Sequence, residues 1–189
     1  MSLHAEIYTA GGIGIGSVAG SGHLRDVLDA GATLALHGAV WHSLDDSPPR
    51  EAGEVIIPPD DVHLATAEEP EDLPVHAQWH DIALDVGPYR VTGQMPTMPG
   101  FDPGRALARP TGEFVQLRDV MIGLVGEPAG SGLRRPMALV NRYVVDRVEA
   151  DLMLGFYFPG AEMISTAPVP AAAPATAAAP PAPQTPPAV

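Results

Sequence analysis

The side chains best suited to acid–base or metal chemistry crowd into the first 80 positions. All seven histidines lie there, at His4, His23, His37, His42, His63, His76 and His80, and imidazole is the side chain that changes charge near neutral pH. His76 and His80 have the i, i+4 spacing of a helical metal pair. Their setting, LPVHAQWHDIAL, leads into a strand, where the two rings stand roughly 13 Å apart, too far for one ion. His42 lies close in sequence to Asp45 and Asp46, and His63 to Asp60 and Asp61. Such clusters can hold a hard or borderline cation. In hydrophilic turns they are first of all solvated loop charges, so no metal ligands are assigned.

Other chemistries have less to work with. The chain has no cysteine, which excludes disulfides, thiolate zinc sites and thiol nucleophiles. No serine sits in a G-x-S-x-G elbow. GGIGIG, Gly11 to Gly16, has the glycines of a phosphate loop but no following helix and no lysine, and its glycines alternate with Ile as in a strand. The pairs Asp45-Asp46 and Asp60-Asp61 lack the apolar surroundings that raise a carboxyl pKa. The expectation is a non-enzyme without a cofactor.

The elements that must position these residues are short. The 189 residues include 22 prolines and 20 glycines, and these interrupt almost every apolar run before it reaches helical length. Ala167 to Val189 is nearly all Ala, Pro and Thr, a composition that builds neither helix nor core. The remainder contains an internal repeat. EIYTAGGIGIGSVAGSGHLRDVL (Glu6–Leu28) runs parallel to IALDVGPYRVTGQMPTMPGFDPGRAL (Ile82–Leu107). Each has a strand, a glycine corner (Gly11-Gly12 or Gly87-Pro88), and a second strand ending in Gly16 or Gly93, 77 positions apart. A third apolar strand follows in each, Ala32–Leu44 or Glu113–Val125, then a polar loop, Asp45–Gly53 or Gly126–Arg135. Two short apolar runs around a polar corner end each copy, with Pro58-Pro59-Asp60 in the first and Asn141-Arg142-Tyr143 in the second.

This pattern predicts an all-β chain of two tandem five-stranded, strongly bent small barrels, because short strands with tight corners hide their edges by curling. The expected divisions are an acidic first barrel at 1–66, a Pro/acidic linker at 67–79, a second barrel at 80–150, an apolar segment at 151–164 and a disordered Ala/Pro tail at 165–189. The arrangement resembles the Sm-like small β-barrel, with SH3-like barrels giving nearly the same pattern. ALVNRYVVDRV (Ala138–Val148) is similar to the second Sm signature, where apolar runs flank an Arg-Gly corner; here the corner is Asn141-Arg142. VGPYRVTGQM, PGFDP and FVQLRDV also look like an uncharacterised bacterial family of small barrel domains. The Sm resemblance implies strand edges joined into rings and, as an alternative function, a nucleotide pocket using Asn141 and Arg142.

Charge and apolar surface direct the remaining expectation. The net charge is −13. Residues 1–89 hold 15 acids and two arginines, and residues 90–189 hold eight of each, with no lysine anywhere. The acidic half repels phosphate backbones, which disfavours nucleic acid, while unlike halves attract head to tail. The segment at 151–164 concentrates Leu152, Leu154, Phe156, Tyr157 and Phe158. It is either a strand covering an open edge or an exposed contact for a partner. No run approaches a membrane span and the start lacks a secretory signal pattern, so the chain is expected to be cytoplasmic. The expected function is a binding, scaffold or assembly module with a protein partner or a second copy of itself. A metal-dependent regulator or small enzyme using the His-rich first half is a further alternative.

Overall fold

A computed structural model describes residues 2–20, 22–45, 47–67, 77–97, 112–128, 130–152, 154 and 156–166. The first half contains β1 (Ser2–Thr9), β2 (Gly12–Ala19), α1 (Leu24–Asp29), β3 (Leu34–Ser43), β4 (Arg50–Ile57), a 3₁₀ turn (Pro59–Asp61) and β5 (Leu64–Ala67). The second contains β6 (Gln78–Val86), β7 (Tyr89–Thr97), β8 (Phe114–Leu124), β9 (Leu133–Asn141), β10 (Val145–Ala150) and β11 (Glu162–Ser165). The described residues are all-β apart from α1 and the 3₁₀ turn, as expected. The piece at 104–107, expected as a counterpart of α1, lies outside the described residues, as do the core of the linker and the tail from 167 on, while Ser165, expected in the tail, ends β11.

The strands form one sheet in the order β11-β10-β6-β7-β8-β9-β5-β1-β2-β3-β4. Both halves pair their strands identically, as β5-β1-β2-β3-β4 and as β10-β6-β7-β8-β9. The bulges coincide too. The β2–β3 register slips between Ile15 and Ser17, at Gly16, and the β7–β8 register slips between Thr92 and Gln94, at Gly93. A Cβ on Gly16 would meet the His37 carbonyl at 3.0 Å, and one on Gly93 would meet the Arg118 carbonyl at 2.9 Å. Opposite each glycine, one residue takes a positive φ: Gly38 at 60° and Asp119 at 51°. Such a bulge bends the strand and increases its twist.

Where two tandem bent barrels were expected, the strands form one continuous sheet that does not close into a barrel. The reason lies in β5, which pairs with β1 on one side (Ile7↔Ala65) and with β9 on the other (Leu64↔Val140, Ala65↔Leu139). Each half therefore hides an edge against the other half rather than against itself. The polar loops also end earlier than expected. Arg50–Gly53 and Leu133–Arg135 are already strand, because their backbones pair with β3 and β8 while side chains such as Arg50, Glu51 and Arg134 face water.

Two clusters of buried side chains lie against the sheet. One is built on Leu84, Val91, Leu117, Val140 and Val148 of the second half and takes in Tyr8 and Leu64 of the first. The other is built on Ile7, Leu24, Leu36, Ile57 and Val62 of the first half and takes in Phe114, Met137 and Leu139 of the second. The exchange follows from β5 and β9 lying side by side, since alternate residues of paired strands face opposite sides. Among the described residues no helix is long and apolar enough to cross a membrane.

Candidate functional site

Two features stand out as places where the molecule makes contacts: the seam between the halves and the two ends of the sheet. At the seam, Arg135 on β9 grips Glu6 on β1 with both arms of its guanidinium, Nε to Oε2 at 2.8 Å and Nη2 to Oε1 at 2.7 Å. The Tyr8 hydroxyl donates to Glu6 Oε2 at 2.8 Å and the Thr66 hydroxyl at 3.0 Å. Burial pushes the Glu6 carboxyl up, but the hydrogen bonds from Arg135, Tyr8 and Thr66 and the Arg135 charge outweigh it, so the group sits below its ordinary 4.5. The Arg135 guanidinium is held above its ordinary value, chiefly by the same Glu6 hydrogen bond. This is the attraction between an acidic first half and an arginine-bearing second half, realised inside one chain.

The aromatic part of the seam is equally specific. Tyr8 and Tyr89 meet edge to face, with centroids 5.3 Å apart and planes at 87°. The Tyr89 hydroxyl donates to the carbonyls of Thr9 (2.8 Å) and Gly12 (3.2 Å), locking the second half onto the first hairpin corner. Burial raises both phenol pKa values well above 10, so both rings stay neutral donors. A cleft of about 210 Å³ opens beside them, lined by Ile13, Leu44, Ile122 and Leu124 together with Ser43, Glu127 and Ser131.

Asn141 and Arg142, at the corner between β9 and β10, are both 5% exposed. The Asn141 amide donates to the Val62 carbonyl at 3.1 Å and accepts from the Tyr143 N–H at 3.0 Å. The Arg142 Nη2 donates to the Phe156 carbonyl at 2.9 Å, and the guanidinium lies 5.2 Å from the Tyr143 ring centre. These contacts tie the corner to the first half and to the segment that follows β10.

That apolar segment divides. Leu154 and Phe158 are fully buried in the second-half cluster, and Leu152 and Tyr157 pack against it. Phe156 alone among the five is open, at 59%. Beyond it, β11 pairs in parallel with β10 (Val148↔Met163, Ala150↔Ser165) and covers that end of the sheet. At the other end, β4 is bonded to β3 only among the described residues. Its outward residues include Arg50, Glu51, Glu54 and Ile56, the last 57% exposed.

The histidines scatter. His80 lies in strand β6, with Nε2 3.0 Å from the Thr97 hydroxyl and Nδ1 3.8 Å from Asp151. Thr97 is 3% exposed, so the trio has the order of a nucleophilic relay with its hydroxyl closed off from substrate. His37 lies 3.4 Å from Glu54. His76 and Asp46 lie outside the described residues, and among the described residues no three His or acidic side chains gather to hold an ion.

Sequence reasoning missed Glu6, Tyr8, Tyr89 and Arg135 as a unit. The available signal was the position of each tyrosine beside a glycine corner, together with the opposite charge of the halves. No protein-family model, curated protein or solved structure matches the chain.

Proposed function

We propose that this chain is a non-catalytic assembly or scaffold module, made of two Sm-like bent units in tandem, that works through strand-edge contacts with a protein partner or a second copy of itself. One observation carries the reading: the chain already uses such a contact internally. Strand β9, fourth in the second half, receives β5 of the first half along its edge. Because both halves share one pairing order, β4 is the counterpart of β9, and its outer edge is unoccupied among the described residues. An extended segment added there would gain backbone hydrogen bonds and cover Ile56. Glu51 and Glu54 flank that edge and guard it against indiscriminate pairing, which favours a partner bringing positive charge. The arginine-bearing half of a second copy has that property. The apolar residues of 151–164, expected as the contact, serve mostly inside the fold, which leaves Phe156 as a secondary contact.

The test is amide hydrogen exchange on dilute and concentrated protein. Concentration should slow exchange across Arg50–Ile57 and leave β6–β8 unchanged. Equal exchange at both concentrations, with and without a positively charged strand-forming peptide, would refute the edge reading.

A further inference from the structure

The seam also holds a titratable ring in a position where charge would matter. His63 follows the 3₁₀ turn of the first half. Its N–H donates to the Tyr8 carbonyl at 2.9 Å, and its carbonyl accepts from the Asn141 N–H of the second half at 2.9 Å. Its ring turns its Cε1–Nδ1 edge to the second half's β6–β7 corner, so close that a Cβ on Gly87 would fall 2.6 Å from both atoms. Gly87 is the right residue on a second count, since its φ of 55° is strained for any other side chain. The corner is held by Asp146 on β10, whose Oδ2 accepts from the Gly87 N–H at 3.2 Å. One ring thus meets the second half's corner from the first half's turn, and the acceptor that holds that corner is on β10.

We propose that His63 is an acid-sensitive latch between the halves, closing the seam while neutral and releasing it when protonated. A neutral imidazole fits a half-buried slot against a glycine backbone, whereas an imidazolium there loses hydration. The charged groups facing the ring are Asp61 from its own turn and Asp146 from β10. Burial lowers the His63 pKa from its ordinary 6.5 and is only partly offset by Asp146, Asp61 and the Val86 carbonyl. A base whose pKa is depressed by folding contributes stability above its unfolded value, and that stability is lost as pH falls through the folded value. The latch is therefore closed above pH 6.5 and weakens below it, by at most tenfold in the closing equilibrium per pH unit for one linked proton. This inference stands on the seam and is independent of the edge reading.

Nuclear magnetic resonance reads both parts of it on the full chain. The His63 ring should titrate with a midpoint below 6.5. The protection factor of the Asn141 amide, which removes the intrinsic pH dependence of exchange, should fall several-fold between pH 7 and pH 5. His63→Gln should leave that factor flat over the same range. A ring midpoint at or above 6.5, or an undiminished pH dependence in His63→Gln, overturns the latch. Should His63→Gln fail to fold, Asp146→Asn decides: removing the nearby carboxylate should move the ring midpoint further down, and an unchanged midpoint counts against the proposal.

Discussion

Arginine 135 shows how one side chain can hold two halves together. Both ends of its pair with Glu6 are mostly shielded from water, at 28% and 16% exposure, and the carboxylate has two further donors. Arg135→Ala leaves Glu6 without its main counter-charge, so it should cost about 2 kcal/mol, visible as a lower urea midpoint at unchanged slope. The same pair sets an acid limb. The folded Glu6 pKa lies below 4.5, so its contribution is complete above the unfolded value and disappears as pH falls through the folded one. Glu6→Gln should be less stable at pH 7 and should lose less stability than the wild type between pH 5 and pH 3, which acid-titrated melting curves would show. Residues at this scale were the hardest to anticipate from sequence. The alternation GIGIG announced a strand, but it is the glycines of β2 that face inward. A Cβ on Gly14 would sit 2.7 Å from Leu36 Cδ1, because Leu36 and Trp41 fill the space across the pair, while Ile13 turns to the other half's cluster.

Strands and corners were far more legible. The glycine corners, the third strands and the two-run endings fall where composition placed them, because Gly and Pro punctuate a chain by local sterics that tertiary packing rarely overrides. The offset of 77 between Gly16 and Gly93 was visible as well, and the structure supplies its cause in a shared bulge. Gly93→Val therefore forces a side chain against the Arg118 carbonyl and Val120. It should destabilise by about 1–3 kcal/mol, while Gly126→Ala, at a corner with open space but a φ of 91°, should cost roughly 1 kcal/mol through backbone strain alone; paired denaturant titrations separate the two. Polar strand ends were illegible, since Arg50–Gly53 and Leu133–Arg135 look like loop until a neighbouring strand pairs with them.

At the scale of the whole molecule, two barrels were expected and one open sheet is found. Nothing local says that β5 will pair with β9 rather than stay within its own half; that choice depends on Leu64 and Ala65 meeting Val140 and Leu139 across a distance of more than 70 residues. The result is asymmetric. One end of the sheet is covered by β11 and the loop that carries Leu154 and Phe158 into the core. The other ends at β4. Association should therefore depend on the β4 end and tolerate loss of the β11 end: a chain ending at Gly160, which keeps Leu154 and Phe158, should still fold by circular dichroism and associate at least as well as the full chain.

The most direct test of the assembly reading is light scattering behind size-exclusion chromatography, with absorbance at 260 and 280 nm, on the wild type and Ile56→Lys. Ile56 is exposed, so a lysine there leaves the core intact while placing a charge on β4, the last strand of the sheet at that end among the described residues. A wild-type multimer that is free of nucleic acid and dissociates in Ile56→Lys is the expected result. A wild type that stays monomeric at every concentration, or a multimer that Ile56→Lys does not disturb, would contradict assembly through this edge.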